Sequence, residues 1–307
     1  MTATALVTGA TGFVGSHLTR RLVREGFEVH ALCRARSDPW RLCDVWSDVR
    51  SHAVDLRDGP RLREVVRAAR PEYVFHVAGA PSAAGSQGPV SELIATSLLG
   101  TVNLIDACEA IDYRALIHTG DAFEYGPSAE PLRECAPGQP DSLVGIIKLA
   151  ATLYAQGVAR RCGRPIVSLR LFSSFGPANH PKRLVSRIIA NALSGTPIHL
   201  SLPDVTRDWV YVDDLVDLYL AAGRSAPAAA GEVLNAGSGR ATTIADLVDI
   251  IIRLTGSEAE VRWGAFPSAE QDATPWLADP RHTREVLNWE PRTSLEDGLR
   301  NTIASLS

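Results

Sequence analysis

Three glycines stand three residues apart in the run Gly9-Ala10-Thr11-Gly12-Phe13-Val14-Gly15. The first permits a tight turn, the second lets backbone approach a pyrophosphate, and the third lets a helix pack closely on a strand. The spacing predicts that Gly9, Thr11, Gly12, Phe13, Val14 and Gly15 hold a dinucleotide at the start of a helix. A carboxylate at the end of the second strand would bind the ribose 2′-hydroxyl of NAD and repel a 2′-phosphate. Cys33 and Arg34 occupy that place, with Arg36 close behind. Guanidinium groups pair well with phosphate, so NADP(H) is the favoured cofactor and NAD(H) the second. Asp55 and Leu56 follow the third strand and would flank the adenine. Val77, Ala78 and Gly79 would bring the end of the fourth strand beside the same ligand.

These residues need a scaffold that delivers strand ends to one edge. A short apolar run at 3–8 and strand patterns at 27–33, 49–54, 73–77, 115–119 and 166–172 alternate with helical patterns at 15–25, 59–69, 90–111 and 143–162. That rhythm predicts an α/β fold, a Rossmann-type doubly wound parallel sheet with helices on both faces. After Pro177 the rhythm changes. Helices at 182–194 and 244–255, short strands near 198–200, 209–212 and 232–235, and a last helix from 295 suggest a smaller lobe. The expected division is 1–176 for the cofactor domain and 177–307 for a substrate lobe, with some chain crossing back to the main sheet.

A net charge of −4 over 307 residues advertises neither nucleic acid nor an anionic membrane. The apolar runs look too short to span a bilayer, and Met1 leads straight into a strand pattern with no secretory leader. Five cysteines lack any Cys-x-x-Cys pair, which points to reduced thiols in a cytoplasmic protein and to no metal site.

Taken together, the motifs resemble the extended short-chain dehydrogenase/reductase family of nucleotide-sugar epimerases, dehydratases and 4-ketoreductases. The resemblance runs over essentially the whole chain. It rests on the segment from Thr8 to Gly15, on His76 to Gly79, on Tyr125-Gly126, and on Leu169 to Pro177. It continues in Arg207 to Asp214, Asn235 to Gly239 and Leu287 to Pro291. The resemblance implies a nicotinamide cofactor, a nucleotide-linked small-molecule substrate and a homodimer. Leu93, Leu98, Val102, Ile146, Leu153 and Val158, on the two long helices, would serve the dimer.

The family works with Tyr-x-x-x-Lys, a Ser or Thr, and an Asn. Lys148 matches the lysine, but Val144 stands at the tyrosine, Asp121 at the Ser/Thr and Ser97 at the Asn. Valine has no proton to exchange, while hydride transfer at a carbonyl needs an acid/base partner. The expected catalytic set is therefore Asp121, Lys148, Glu124 and Thr119, with Tyr125 structural. The resemblance also implies substrate contacts at Ser173, Lys182, Arg183 and Arg207. Three functions remain open: an NAD(P)-dependent epimerase, dehydratase or ketoreductase; a non-redox cyclase or eliminase on the same fold; and a non-catalytic cofactor-binding protein.

Overall fold

A computed structural model describes residues 2–79, 89–266 and 275–306. The first half alternates strand and helix. β1 (Thr4–Thr8), α1 (Phe13–Arg24), β2 (Glu28–Cys33), β3 (Val49–Ala53), α2 (Gly59–Ala69) and β4 (Tyr73–His76) are followed by α3 (Val90–Cys108), β5 (Ala115–Asp121), α4 (Leu143–Cys162) and β6 (Ile166–Leu171). The second half contains β7 (Ser173–Phe175), α5 (Leu184–Ser194), β8 (Ile198–His199), β9 (Thr206–Tyr211) and α6 (Val212–Ser225). β10 (Val233–Ala236), β11 (Ala241–Thr243), α7 (Ile244–Thr255), β12 (Val261–Arg262), α8 (Arg281–Leu287) and α9 (Leu295–Ala304) complete it.

Among the described residues, seven strands form one parallel sheet in the order β10-β6-β5-β4-β1-β2-β3. β1, β2, β4, β5 and β6 are buried along most of their length, with helices on both faces, whereas the edge strand β3 is mostly exposed. Ala5, Val7, Phe75 and Ile117 face α1 and α6 in one core. Leu6, Val74, Leu116 and Ile166 face the other side, packing with Leu62 of α2, Leu104 of α3 and Ala155 of α4. Burying a side chain such as Leu62 or Leu104 stabilises the fold by about 1.5–3 kcal/mol. A third core joins Phe175, Ile188, Val205, Tyr211, Leu247 and Leu299 in the C-terminal lobe.

The chain first leaves the main sheet after β6, which ends at Leu171, and the division into lobes is not clean. β10 pairs in parallel with β6, and Leu215, Leu218 and Tyr219 of α6 share the core of α1. β7 is separate from β6 and belongs to a small sheet in the order β11-β9-β7.

Two expectations need correction. The helix Val90–Cys108 has the length and mean hydropathy, 1.2, of a membrane span. Its inner face nevertheless packs Leu104, Ile105 and Ala107 into the core under the sheet. Its outer face exposes Val90, Ile94 and Leu99, the last by 50%. On α4, Ile146 and Leu153 are 48% and 54% exposed, whereas Val158 lies in the protein's own core and is unavailable to a partner.

Candidate cofactor and catalytic site

The glycine loop turns on itself at the end of β1. Gly9 has φ +69°, in the left-handed region, and a Cβ there would lie 2.8 Å from the backbone of Ala78. A Cβ on Gly15 would overlap the carbonyl oxygen of Gly9. The Gly12 N–H donates to that oxygen at 2.9 Å. Gly12 then opens α1 with no side-chain cap, so the first N–H groups of the helix and its dipole suit an anionic ligand. Val14 is buried in the core and Phe13 packs edge-on against His17; both position the loop. The Ala78 N–H donates to Thr8 Oγ1 at 3.1 Å, which ties the end of β4 to β1. Backbone crowding of this kind leaves a cradle that any larger side chain would fill, so these residues fit the pyrophosphate of a dinucleotide.

Arg34 and Arg36 are exposed beyond β2. Asp55 is held by Arg57, which donates from Nε at 2.9 Å and from Nη2 at 2.6 Å, and this pairing lowers its pKa, with a smaller effect from the Arg34 charge. Leu56 packs against Gly100 of α3, where a Cβ would come within 3.0 Å. Arg41 had no sequence signal, yet it donates to the carbonyls of Thr11 (3.1 Å) and Ala178 (2.8 Å). It thereby pins the glycine loop to the first turn of the C-terminal lobe.

At the neighbouring end of β5, Lys148 reaches from α4 and donates from Nζ to the carbonyl of Thr119 at 2.9 Å. A Cβ on Gly79 would lie 3.0 Å from the same Nζ, so the ammonium sits directly under the end of β4. Burial lowers the Lys148 pKa, while the charges of Asp121 and Glu124 raise it. Val144 lies one turn earlier on the same helix and is half-buried. Asp121 ends β5 half-buried, and its Oδ1 accepts the Phe123 N–H at 3.0 Å, capping a 3-10 turn over Ala122–Glu124.

Glu124 does not belong to the acid/base set. It is fully buried, and its Oε2 accepts from Arg170 Nε at 2.7 Å. Its Oε1 accepts from Thr152 Oγ1 and from the Asp121 N–H, both at 2.9 Å. Both oxygens are committed to holding β5, β6 and α4 together. The Thr119 hydroxyl is likewise removed. It pairs with Tyr219 of α6 at 2.6 Å, on the α1/α6 face of the sheet, and only its backbone carbonyl meets Lys148. Tyr125 donates to Asn235 Oδ1 at 2.6 Å and lies against the Arg170 guanidinium; it is structural, as expected.

Beneath this edge runs a directed chain. Thr101 Oγ1 donates to the Ser97 carbonyl at 2.7 Å, so it accepts from His76 Nε2 at 2.9 Å. His76 Nδ1 therefore accepts from Thr8 Oγ1 at 2.7 Å. This fixes a neutral ring protonated on Nε2. Burial pushes the His76 pKa down to about 3 and that of His118 well below its usual range. Neither ring nitrogen of His118 has a hydrogen-bond partner among the described residues.

The expected substrate residues are split. Ser173 on β7 and Arg207 on β9 lie on paired strands, since Ser173 is in register with Trp209. Arg207 Nη1 donates to the Thr206 carbonyl at 2.9 Å. Its neighbour Asp208 is fully buried, accepting from Ser238 Oγ and the backbone of Ser238, Gly239 and Ala278. It is thus a strut for the loop after β10. Lys182 is exposed, and Arg183 opens α5. Among the described residues, no group of His, Cys, Asp or Glu could hold a metal ion.

Comparison with known proteins agrees with this geometry. Residues 5–237 match the model of the NAD dependent epimerase/dehydratase family. The dTDP-6-deoxy-L-talose 4-dehydrogenase (NAD(P)(+)) of Kitasatospora kifunensis is 33% identical, over 97% of this chain and 94% of its own. The Thermotoga maritima UDP-glucose 4-epimerase, solved with UDP-glucose, superposes with a TM-score of 0.90 at 28% identity, covering 99% of this chain and 98% of its own. The Bacillus cereus UDP-glucuronic acid 4-epimerase, solved with UDP-glucuronic acid and NAD, gives 0.88 at 25% identity, covering 99% and 98%. With the glycine cradle, the parallel sheet and Lys148 in their places, the chain belongs to the NAD-dependent epimerase/dehydratase family, that is, to the extended short-chain dehydrogenases/reductases.

Proposed function

We propose that this protein is a nicotinamide-dependent enzyme of nucleotide-sugar chemistry, an epimerase, dehydratase or ketoreductase in which Asp121 and Lys148 do the proton work without a tyrosine. The observation that carries the reading is the Lys148 ammonium, held at 2.9 Å by the Thr119 carbonyl and set against Gly79 at the cofactor edge. The nicotinamide would accept a hydride from, or return one to, a sugar carbon. The glycine loop would hold its pyrophosphate and Lys148 its ribose. Asp121 would take the proton of the sugar hydroxyl or give one to the carbonyl oxygen, and the Lys148 charge would stabilise the oxyanion between them. Ser173, Lys182, Arg183 and Arg207 would meet the nucleotide-linked substrate.

NADP(H) remains the favoured cofactor, since Arg34 and Arg36 offer guanidinium groups where a 2′-phosphate would sit. NAD(H) is second, supported by the NAD bound to the B. cereus relative. Titrating the purified protein with NADP+ and NAD+ tests this. The preference is overturned by tighter binding of NAD+, or by an Arg34→Ala/Arg36→Ala variant that binds NADP+ as the parent does. Val144 favours a second reading, a non-redox cyclase or eliminase, because valine withdraws the family's proton donor. The exposed apolar positions Leu99, Ile146 and Leu153 support a homodimer through α3 and α4; a monomer in light scattering contradicts it. The free thiols fit a cytoplasmic protein.

A further inference from the structure

The run Leu287-Asn288-Trp289-Glu290-Pro291 takes no part in the site described above. It forms one wall of a cavity of about 700 Å3 between α1, α6 and the end of α8, and no candidate site residue lines it. The volume is that of a small-ligand site. Leu287 and Trp289 are buried in the core beneath it. Its charges are unevenly matched. Arg21 pairs with Asp217 at 3.0 Å, and Arg284 pairs with Glu290 at 2.6 Å. These two pairs use both carboxylates of the lining. Arg224 and Arg292 also line the cavity, both exposed to solvent, and neither guanidinium has a hydrogen bond or ion pair among the described residues. Two cations are left uncompensated in a chain whose net charge is −4. The wall that carries Arg292 is fixed, since Asp214 at the start of α6 accepts the N–H groups of Arg292 at 3.1 Å and Thr293 at 3.0 Å.

We propose that this cavity is a second anion site, one that takes a chain of phosphate groups between Arg224 and Arg292. A planar guanidinium binds phosphate oxygens bidentately, and two arginines lining one concavity suit an anion with several charges along its length. A single carboxylate would neutralise only one. The occupant is therefore of the oligophosphate class, either a nucleoside triphosphate or a free phosphate chain.

The test is calorimetric titration of sodium tripolyphosphate into the full chain, with NADP+ and UDP present in excess to fill the cofactor and substrate sites. The proposal expects one equivalent bound, and at least tenfold weaker binding in the Arg224→Gln/Arg292→Gln variant with its melting temperature unchanged. ATP binding more tightly than tripolyphosphate assigns the site to a nucleotide, and equal binding assigns it to the phosphate chain alone. Absence of tripolyphosphate binding, equal binding by the variant, or citrate binding as tightly as tripolyphosphate overturns the proposal. The comparison of parent and variant needs no catalytic activity, so it stands apart from the function proposed above.

Discussion

The glycine loop and the end of β5 lie at the same edge of one sheet, yet they are determined in different ways. In the loop, the constraints come from neighbours in the chain: Gly15 against Gly9, and Gly12 bonded to Gly9. At the end of β5 they come from far away. Glu124 is claimed by Arg170, 46 residues on, and the Thr119 hydroxyl by Tyr219, a hundred residues on. Residue type therefore predicts local geometry well in the first region and side-chain commitment poorly in the second. There, a carboxylate or hydroxyl acts only if its lone pairs and proton are not already committed.

Breaking this contrast at the loop should act on cofactor binding. Gly15→Val places side-chain atoms into the Gly9 carbonyl, and cofactor affinity should fall by more than about 100-fold, roughly 2.7 kcal/mol. Calorimetric titration reads it, and near-parental affinity would remove the loop from the site. At the other region, Glu124→Leu strands the buried Arg170 guanidinium. Stability should fall by about 3–5 kcal/mol in urea denaturation. The milder Glu124→Gln should keep turnover per folded molecule; a turnover loss without a stability loss would return Glu124 to the catalytic set.

Acid sensitivity sharpens the comparison further. His76 is neutral in the fold down to about pH 3, whereas its unfolded counterpart takes up a proton below about 6.5. The unfolded state then binds more protons, so stability is complete above pH 6.5 and is lost as pH falls from there toward 3. The slope reaches about 1.4 kcal/mol per pH unit for each such histidine. His118 adds a second contribution of the same sign. Denaturation midpoints at pH 7, 6 and 5 should show it, and His118→Phe should flatten the profile; an unchanged slope would contradict the assignment. The smallest effect is Tyr219→Phe, which removes the partner of Thr119 Oγ1 and should cost about 1 kcal/mol while sparing turnover.

Much of the fold was legible. The alternation of apolar runs with helical periods placed the parallel sheet, and the Gly9–Gly15 spacing placed the cradle. What sequence could not show was side-chain commitment. Asp121 and Glu124 both stood in the expected catalytic set, but one caps an edge turn and the other is consumed by a buried pair. Arg41 was invisible because its partners are backbone carbonyls, which carry no residue-type signal. The 90–108 helix was underrated as an apolar segment because only one of its faces reaches the core.

The central claim is that Asp121 and Lys148 carry the proton chemistry once tyrosine is gone. The direct measurement is rapid mixing of cofactor-loaded protein with a panel of UDP- and dTDP-hexoses, following the nicotinamide absorbance band in the parent, Asp121→Asn and Lys148→Met proteins. The account predicts a change in the parent, slowed at least about 100-fold in each variant, with cofactor still bound by Asp121→Asn. Undiminished change in both variants, or sugar conversion with no change at the band, would contradict it.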